Sequence, residues 1–171
     1  SASRVSEWHA SALHQPQALA GRDVVVVGGG ASAFDLMDQC LEHGARRIVW
    51  VYRGLRWFLP TTRPKAVAGS VRPFAKMQVG GISAAQQSAL LGADMLARYA
   101  RFGLQAIQPA RPVDVLHDQL FPGRPRMIQN FGRIERHAAT VQAIEGRRLT
   151  LSDGTRLDAD IVLWGTGYAT D

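Results

Sequence analysis

Two glycine-bearing stretches and a set of arginines hold the residues whose types and spacing suit chemistry. Gly28-Gly29-Gly30-Ala31-Ser32-Ala33 lies between an apolar run, Asp23 to Val27, and a helix-like segment, Phe34 to Leu41. Strand, tight turn and helix in that order make an anion site, because the first helical turn offers N–H groups without an intrahelical acceptor and the positive end of the helix dipole. In such a site Gly28 allows the turn and Gly30 lets the backbone approach the phosphates. Ala31 and Ser32 then open the helix, and Ala33 keeps helix and strand close. We read the turn as a cradle for a dinucleotide pyrophosphate. A glycine triplet before a helix is also an ordinary loop, so the neighbouring segments decide between the two readings.

The next strand decides most. About twenty residues past such a turn, an Asp or Glu binds the ribose hydroxyls of NAD, whereas an arginine accommodates the extra phosphate of NADP. Here Ile48 to Tyr52 reads as the strand, and Arg53 follows it. A guanidinium grips a 2′-phosphate through a charge-assisted, forked hydrogen bond of about 1.5–3 kcal/mol, so NADPH is expected over NADH by about ten- to a hundredfold. Arg56 is a second candidate for the same role, and an exposed solvated arginine is the alternative for it.

The elements that position these residues follow from periodicity. Asp23 to Val27 is an unbroken valine run, the form of a central parallel strand covered on both faces. Phe34, Met37 and Leu41 recur as one buried helical stripe, and Gly44 sits where a helix ends. With Ile48 to Tyr52 they complete a β-α-β unit. Ser1 to Arg22 is poorly periodic and reads as a connector. Leu59-Pro60 and Arg63-Pro64 end regular structure, and the chain to Val79 reads as an excursion from the sheet. Ser83 caps an expected helix whose stripe is Leu91, Met95, Tyr99 and Phe102. A second excursion, Pro109 to Arg126, holds His117, to which no catalytic role is assigned. From Ile134 the period changes. Val141 to Ile144, Leu149 to Leu151 and the Asp153-Gly154 turn before Leu157 predict an antiparallel meander. Ile161 to Trp164 is a further apolar strand that runs into Gly165-Thr166-Gly167-Tyr168, where glycines admit a ligand or a neighbouring backbone. The fold class expected is α/β: a Rossmann-like parallel sheet with flanking helices, a β-meander and a helical excursion.

Composition narrows the function classes. The chain has 171 residues and a formal net charge of +6, and its length suits a single domain with a real core. Cys40 is the only cysteine, which excludes an intramolecular disulfide, a paired-cysteine redox centre and a cysteine zinc site, and its place in the first helix suggests core packing. No metal site is expected. No acidic residue falls between Glu42 and Asp94, a stretch that carries Arg46, Arg47, Arg53, Arg56, Arg63, Lys65, Arg72 and Lys76. Phosphate binding accounts for the start of this stretch, and a solvated basic surface for most of the remainder. A nucleic-acid partner is not expected, for want of a recognisable module. No membrane association is expected either, since no run of spanning length and no signal-peptide pattern occurs, and a cytoplasmic location is the expectation.

Several separated segments together resemble one family, the flavin-dependent monooxygenases that use NADPH, including the flavin-containing and Baeyer–Villiger enzymes. The residues are VVVVGGGASAFD, with Ser32 and Asp35; VYRGLRWFLP, with Arg53, Trp57 and Pro60; and the DGT turn leading through DAD to IVLWGTGY. The last is similar to the family's ATGY segment, with Gly165 in place of the alanine. EWHAS near the start resembles the end of the family's fingerprint, although its leading FxG portion is missing. The resemblance covers nearly the whole chain and is weakest from Ala66 to Arg133. It implies an NADPH-binding domain over 23–171, with 1–22 a connector from an FAD domain outside the chain, since Gly80-Gly81 lacks the spacing of a second dinucleotide turn. Thr166 and Gly167 are implied to lie toward that flavin. It further implies that the complete enzyme reduces FAD with NADPH and, through a flavin hydroperoxide, oxygenates a small-molecule substrate at nitrogen, sulfur or a carbonyl. No residue of this chain is assigned a catalytic role, and the isolated chain is expected to be inactive. Substrate and oligomeric state stay open. A non-catalytic NADP-binding regulator is the alternative, while a disulfide reductase is disfavoured by the absence of a CxxC pair.

Overall fold

The computed structural model describes residues 4–10, 13–61 and 81–166, which divide into two compact units, one formed by the chain up to Gly54 and again from Gln129, the other by Leu55–Ile128. The first unit is an α/β sandwich built on a parallel sheet. In chain order its elements are strand β1 (Ser6–His9), a 3-10 turn (Pro16–Leu19), strand β2 (Asp23–Val27), helix α1 (Ala31–Glu42) and strand β3 (Arg47–Tyr52). The second unit then contributes helix α2 (Ala84–Arg101), and helix α3 (Pro125–Gln129) leads back into the first. Strands β4 (Ile134–Ala138), β5 (Val141–Glu145), β6 (Arg148–Leu151), β7 (Arg156–Asp158) and β8 (Ile161–Trp164) follow.

Five strands pair in the order β1-β8-β2-β3-β4, all parallel. The valine run of β2 is therefore central, and Val24 to Val26 are at most 1% exposed, as burial on both faces requires. Alternation along the strands divides the side chains between two layers. Val25, Val27, Val49, Val51 and Val162 pack with Leu149, Leu151 and Leu157 of the antiparallel β5-β6-β7 meander and with Ala159 just after it. On the opposite face Trp50 meets Phe34 of α1 edge to face at 5.5 Å. Cys40 lies in this helix layer fully buried, and desolvation pushes its thiol pKa up to about 12, so it is an inert core residue.

Two strands lie where periodicity gave no signal. The segment read as a connector contributes β1, which pairs with β8, and the stretch opening at Ile134 forms β4 beside β3. Both are sheet edges with mostly exposed or half-exposed side chains, so neither carries the alternation that identifies a half-buried strand.

While most of the excursion to Val79 lies outside the described residues, the second unit holds the expected helix and the excursion Pro109 to Arg126. Its α2 opens with a capping box, in which Gln86 N–H donates to Ser83 Oγ (3.2 Å) and Ser83 N–H donates to the Gln86 side chain (2.9 Å). Leu91, Met95 and Tyr99 form its buried stripe, and Phe102 is the half-buried cap residue. Tyr99 packs edge to face on Trp57 at 5.2 Å and accepts the Phe58 N–H on its hydroxyl at 3.2 Å.

At the N-terminal end of the parallel strands, ion pairs tie neighbouring elements together. Arg46 forks onto Asp23 (2.9 and 2.8 Å), and Arg47 forks onto Glu135 (both 2.8 Å). The guanidinium hydrogen bonds hold both carboxyls below their usual pKa values. A lowered folded-state value contributes stability that is present above the unfolded carboxylate range and is lost as pH falls through the folded value. Chemical denaturation across pH is therefore expected to give a flat midpoint above about pH 5 and a decline below about pH 4. Asp23→Asn should lower the neutral plateau and make the acid decline shallower; an unchanged acid limb would mean that this pair does not contribute.

Candidate functional site

The glycine turn stands at the C-terminal end of the central strand, between the ends of β3 and β8, the position at which open parallel sheets bind ligands. Gly28 has φ +139°, a conformation that side-chain-bearing residues rarely adopt. Its N–H donates to Val51 O at 3.0 Å, and the Trp50 indole N–H donates to its carbonyl at 2.7 Å. A Cβ on Gly28 would strike the Gly165 carbonyl oxygen and come within 2.7 Å of the Gly165 carbonyl carbon. Gly165 donates its own N–H to Val27 O at 2.7 Å. A Cβ on Gly165 would lie 2.9 Å from both N and Cα of Ala33, which is fully buried. Main chain thus packs directly on main chain where β2, β8 and α1 converge.

Gly30 is the N-cap of α1, with extended backbone (φ −111°, ψ −166°) that any residue adopts, and no side chain caps the helix. The first helical bond runs from Phe34 N–H to Gly30 O at 3.3 Å, which leaves the preceding N–H groups for another acceptor. Ala31 is exposed and Ser32 half-buried. Ser32 borders a cleft of about 310 Å³ between α1 and the segment after β1, with Leu13, Asp35 and Gln39 among its walls. This first turn fits a pyrophosphate: uncapped donors, no carboxylate cap, and the positive helix end.

Arg53 follows β3 directly, is exposed, and has no hydrogen-bond or ion-pair partner among the described residues. No carboxylate occupies its place. Arg46 and Arg47, from the same basic stretch, are held by Asp23 and Glu135 at the other end of the sheet. Arg56 is exposed and belongs to the second unit. Thr166 is exposed just past Gly165. Gly167 and Tyr168 lie outside the described residues, as do Arg63, Lys65, Arg72, Lys76 and Gly80. Among the described residues no group of three or more His, Cys, Asp or Glu could hold a metal ion. No described helix is long and apolar enough to cross a membrane.

Sequence reasoning missed the Trp50 indole, which fixes the Gly28 carbonyl, because a tryptophan inside an apolar strand gives no sign of where its N–H points. It also missed the closeness of Gly28 and Gly165, which lie far apart in sequence. The second unit holds a separate groove of about 900 Å³ between one face of α2 and residues 108–116, with Trp57, Leu96 and Leu116 in its walls. His117 belongs to this unit, exposed and 2.7 Å from the Asp114 carboxylate. An alanine at 165 tests the packing at the turn. Gly165→Ala is expected to cost about 1–3 kcal/mol by overpacking against the first turn of α1, read as a lower urea midpoint; a midpoint equal to the parent's would show that the helix shifts freely.

No protein-family model matches the chain, and no curated protein does either. Solved structures do. A cyclohexanone-bound structure of cyclohexanone monooxygenase superposes with a TM-score of 0.69 at 13% identity, covering 99% of this chain and 44% of that one. OTEMO in complex with FAD and NADP superposes with a TM-score of 0.66 at 13% identity, covering 98% of this chain and 43% of that one. The chain thus spans less than half the length of these proteins and, at such identities, shares with them an α/β fold.

Proposed function

We propose that this chain is the NADPH-binding module of a flavin-dependent monooxygenase. The observation that carries the reading is Arg53: an exposed guanidinium without a partner among the described residues, at the end of the strand beside the glycine turn, where an NAD site has a carboxylate. Arg53 binds the 2′-phosphate, the first-turn amides of α1 with Ser32 take the pyrophosphate, and Gly30 admits it to the backbone. Thr166 lies toward the flavin.

NADPH when bound supplies a hydride, and the residues of this chain supply its selection and orientation. FAD belongs to a further domain of a longer protein, in line with the 44% of cyclohexanone monooxygenase that the chain spans. The substrate is a small organic molecule, oxygenated at nitrogen, sulfur or a carbonyl. In this reading the chain alone binds NADPH without consuming it.

Calorimetric titration tests the reading. NADPH is expected to bind about ten- to a hundredfold more tightly than NADH, and Arg53→Ala is expected to remove most of that preference while leaving NADH affinity near the parent's. Equal affinities in the parent chain, or a preference that survives Arg53→Ala, would overturn it.

A further inference from the structure

Gly29 has no assigned role in the turn, and its backbone does not call for glycine, since it is absent from the positive-φ residues. What a side chain there would meet is the main chain after β3. A Cβ on Gly29 would strike the Gly54 carbonyl oxygen, with the Gly54 carbonyl carbon at 3.6 Å, and among the described residues beyond its chain neighbours it would meet no other atom within 4 Å. The glycine at 29 therefore admits the Gly54 main chain lying over the turn.

That main chain has little else to hold it. The last backbone hydrogen bond of this strand end is Ala139 N–H to Tyr52 O at 2.9 Å. Beyond it, neither Arg53 nor Gly54 has a hydrogen bond among the described residues, and both are exposed. Gly54 is not itself restricted: its φ is not positive, and a Cβ built on it meets nothing within 4 Å among the described residues.

We propose that Gly29 is a positioning residue for cofactor selection: by carrying no side chain it lets the Arg53-Gly54 segment rest on the glycine turn, which sets the Arg53 guanidinium at the reach of a 2′-phosphate whose pyrophosphate lies on the same turn. The proposal rests on the reading of Arg53 as the 2′-phosphate ligand. A methyl group at 29 lifts an exposed, loosely held loop and leaves the core intact. It moves the group that reads the 2′-phosphate more than the amides that hold the pyrophosphate.

The test compares NADPH and NADH affinities, by calorimetry, in the parent chain and in Gly29→Ala, Arg53→Ala, the double variant and Gly54→Ala. Gly29→Ala is expected to lower the NADPH preference about tenfold with a smaller loss for NADH. It should add no further loss of preference in the Arg53→Ala background, and Gly54→Ala should keep the parent preference. Arg53→Ala with the parent preference would overturn the reading of Arg53, and this proposal with it. If Arg53→Ala loses the preference but Gly29→Ala keeps it, or weakens both cofactors equally, only the proposal for Gly29 is overturned. Should Gly29→Ala not fold, the parent chain decides by nuclear magnetic resonance with 2′,5′-ADP and 5′-AMP, which differ only in the 2′-phosphate. A Gly29 amide shift larger with 2′,5′-ADP supports the coupling, and equal shifts contradict it.

Discussion

Main chain packed against main chain is the constraint on which the site depends. Gly28 touches the Gly165 carbonyl, Gly165 leaves no room for a Cβ against Ala33, and Gly29 lies under the Gly54 carbonyl. Three strand ends and one helix start meet at a few points where no side chain fits. Such a junction stays rigid only if its polar groups are satisfied. Val51 and Val27 carbonyls accept the N–H groups of Gly28 and Gly165, and the Trp50 indole N–H satisfies the Gly28 carbonyl. With side chains excluded, what remains for a ligand is backbone amides and the helix dipole, a combination suited to an anion.

The two ends of the parallel sheet use charge differently. At the N-terminal end, arginines from the basic stretch are neutralised by acids distant in sequence, Asp23 and Glu135, and Arg147 pairs with Asp160 at 2.6 Å. These pairs join neighbouring strands and loops, and their exposure limits each to a modest contribution. At the C-terminal end Arg53 has no such neutralising partner among the described residues. Within this basic stretch, Arg46 and Arg47 are thus structural, whereas Arg53 stands at the ligand-facing end of the sheet. The division comes from topology, because consecutive parallel strands present their two termini at opposite ends of the sheet.

The parts of the fold that were legible in the sequence are those whose burial leaves a pattern. The valine run of β2 is covered on both faces, the stripe of α1 on one, and the meander strands are separated by Glu145-Gly146 and Asp153-Gly154. Ser83 announced α2 because its capping box is local. Strands β1 and β4 were not legible, since an edge strand with exposed side chains is defined by its backbone partner and not by its own hydrophobicity. The same limit applies at the turn. Gly28 could be read from the strand-turn-helix order, whereas the reasons for Gly29 and Gly165 are atoms of Gly54 and Ala33, distant in sequence and visible only once the chain is folded.

The central claim is that an anionic dinucleotide sits on the first turn of α1 with Arg53 beside it. Amide chemical shifts recorded while NADP+ is added test it most directly. The account predicts the largest changes at Gly30 to Phe34 and at Arg53, with the α2 groove unaffected. Shifts concentrated in residues 84–116, with Gly30 to Phe34 and Arg53 unmoved, would contradict it.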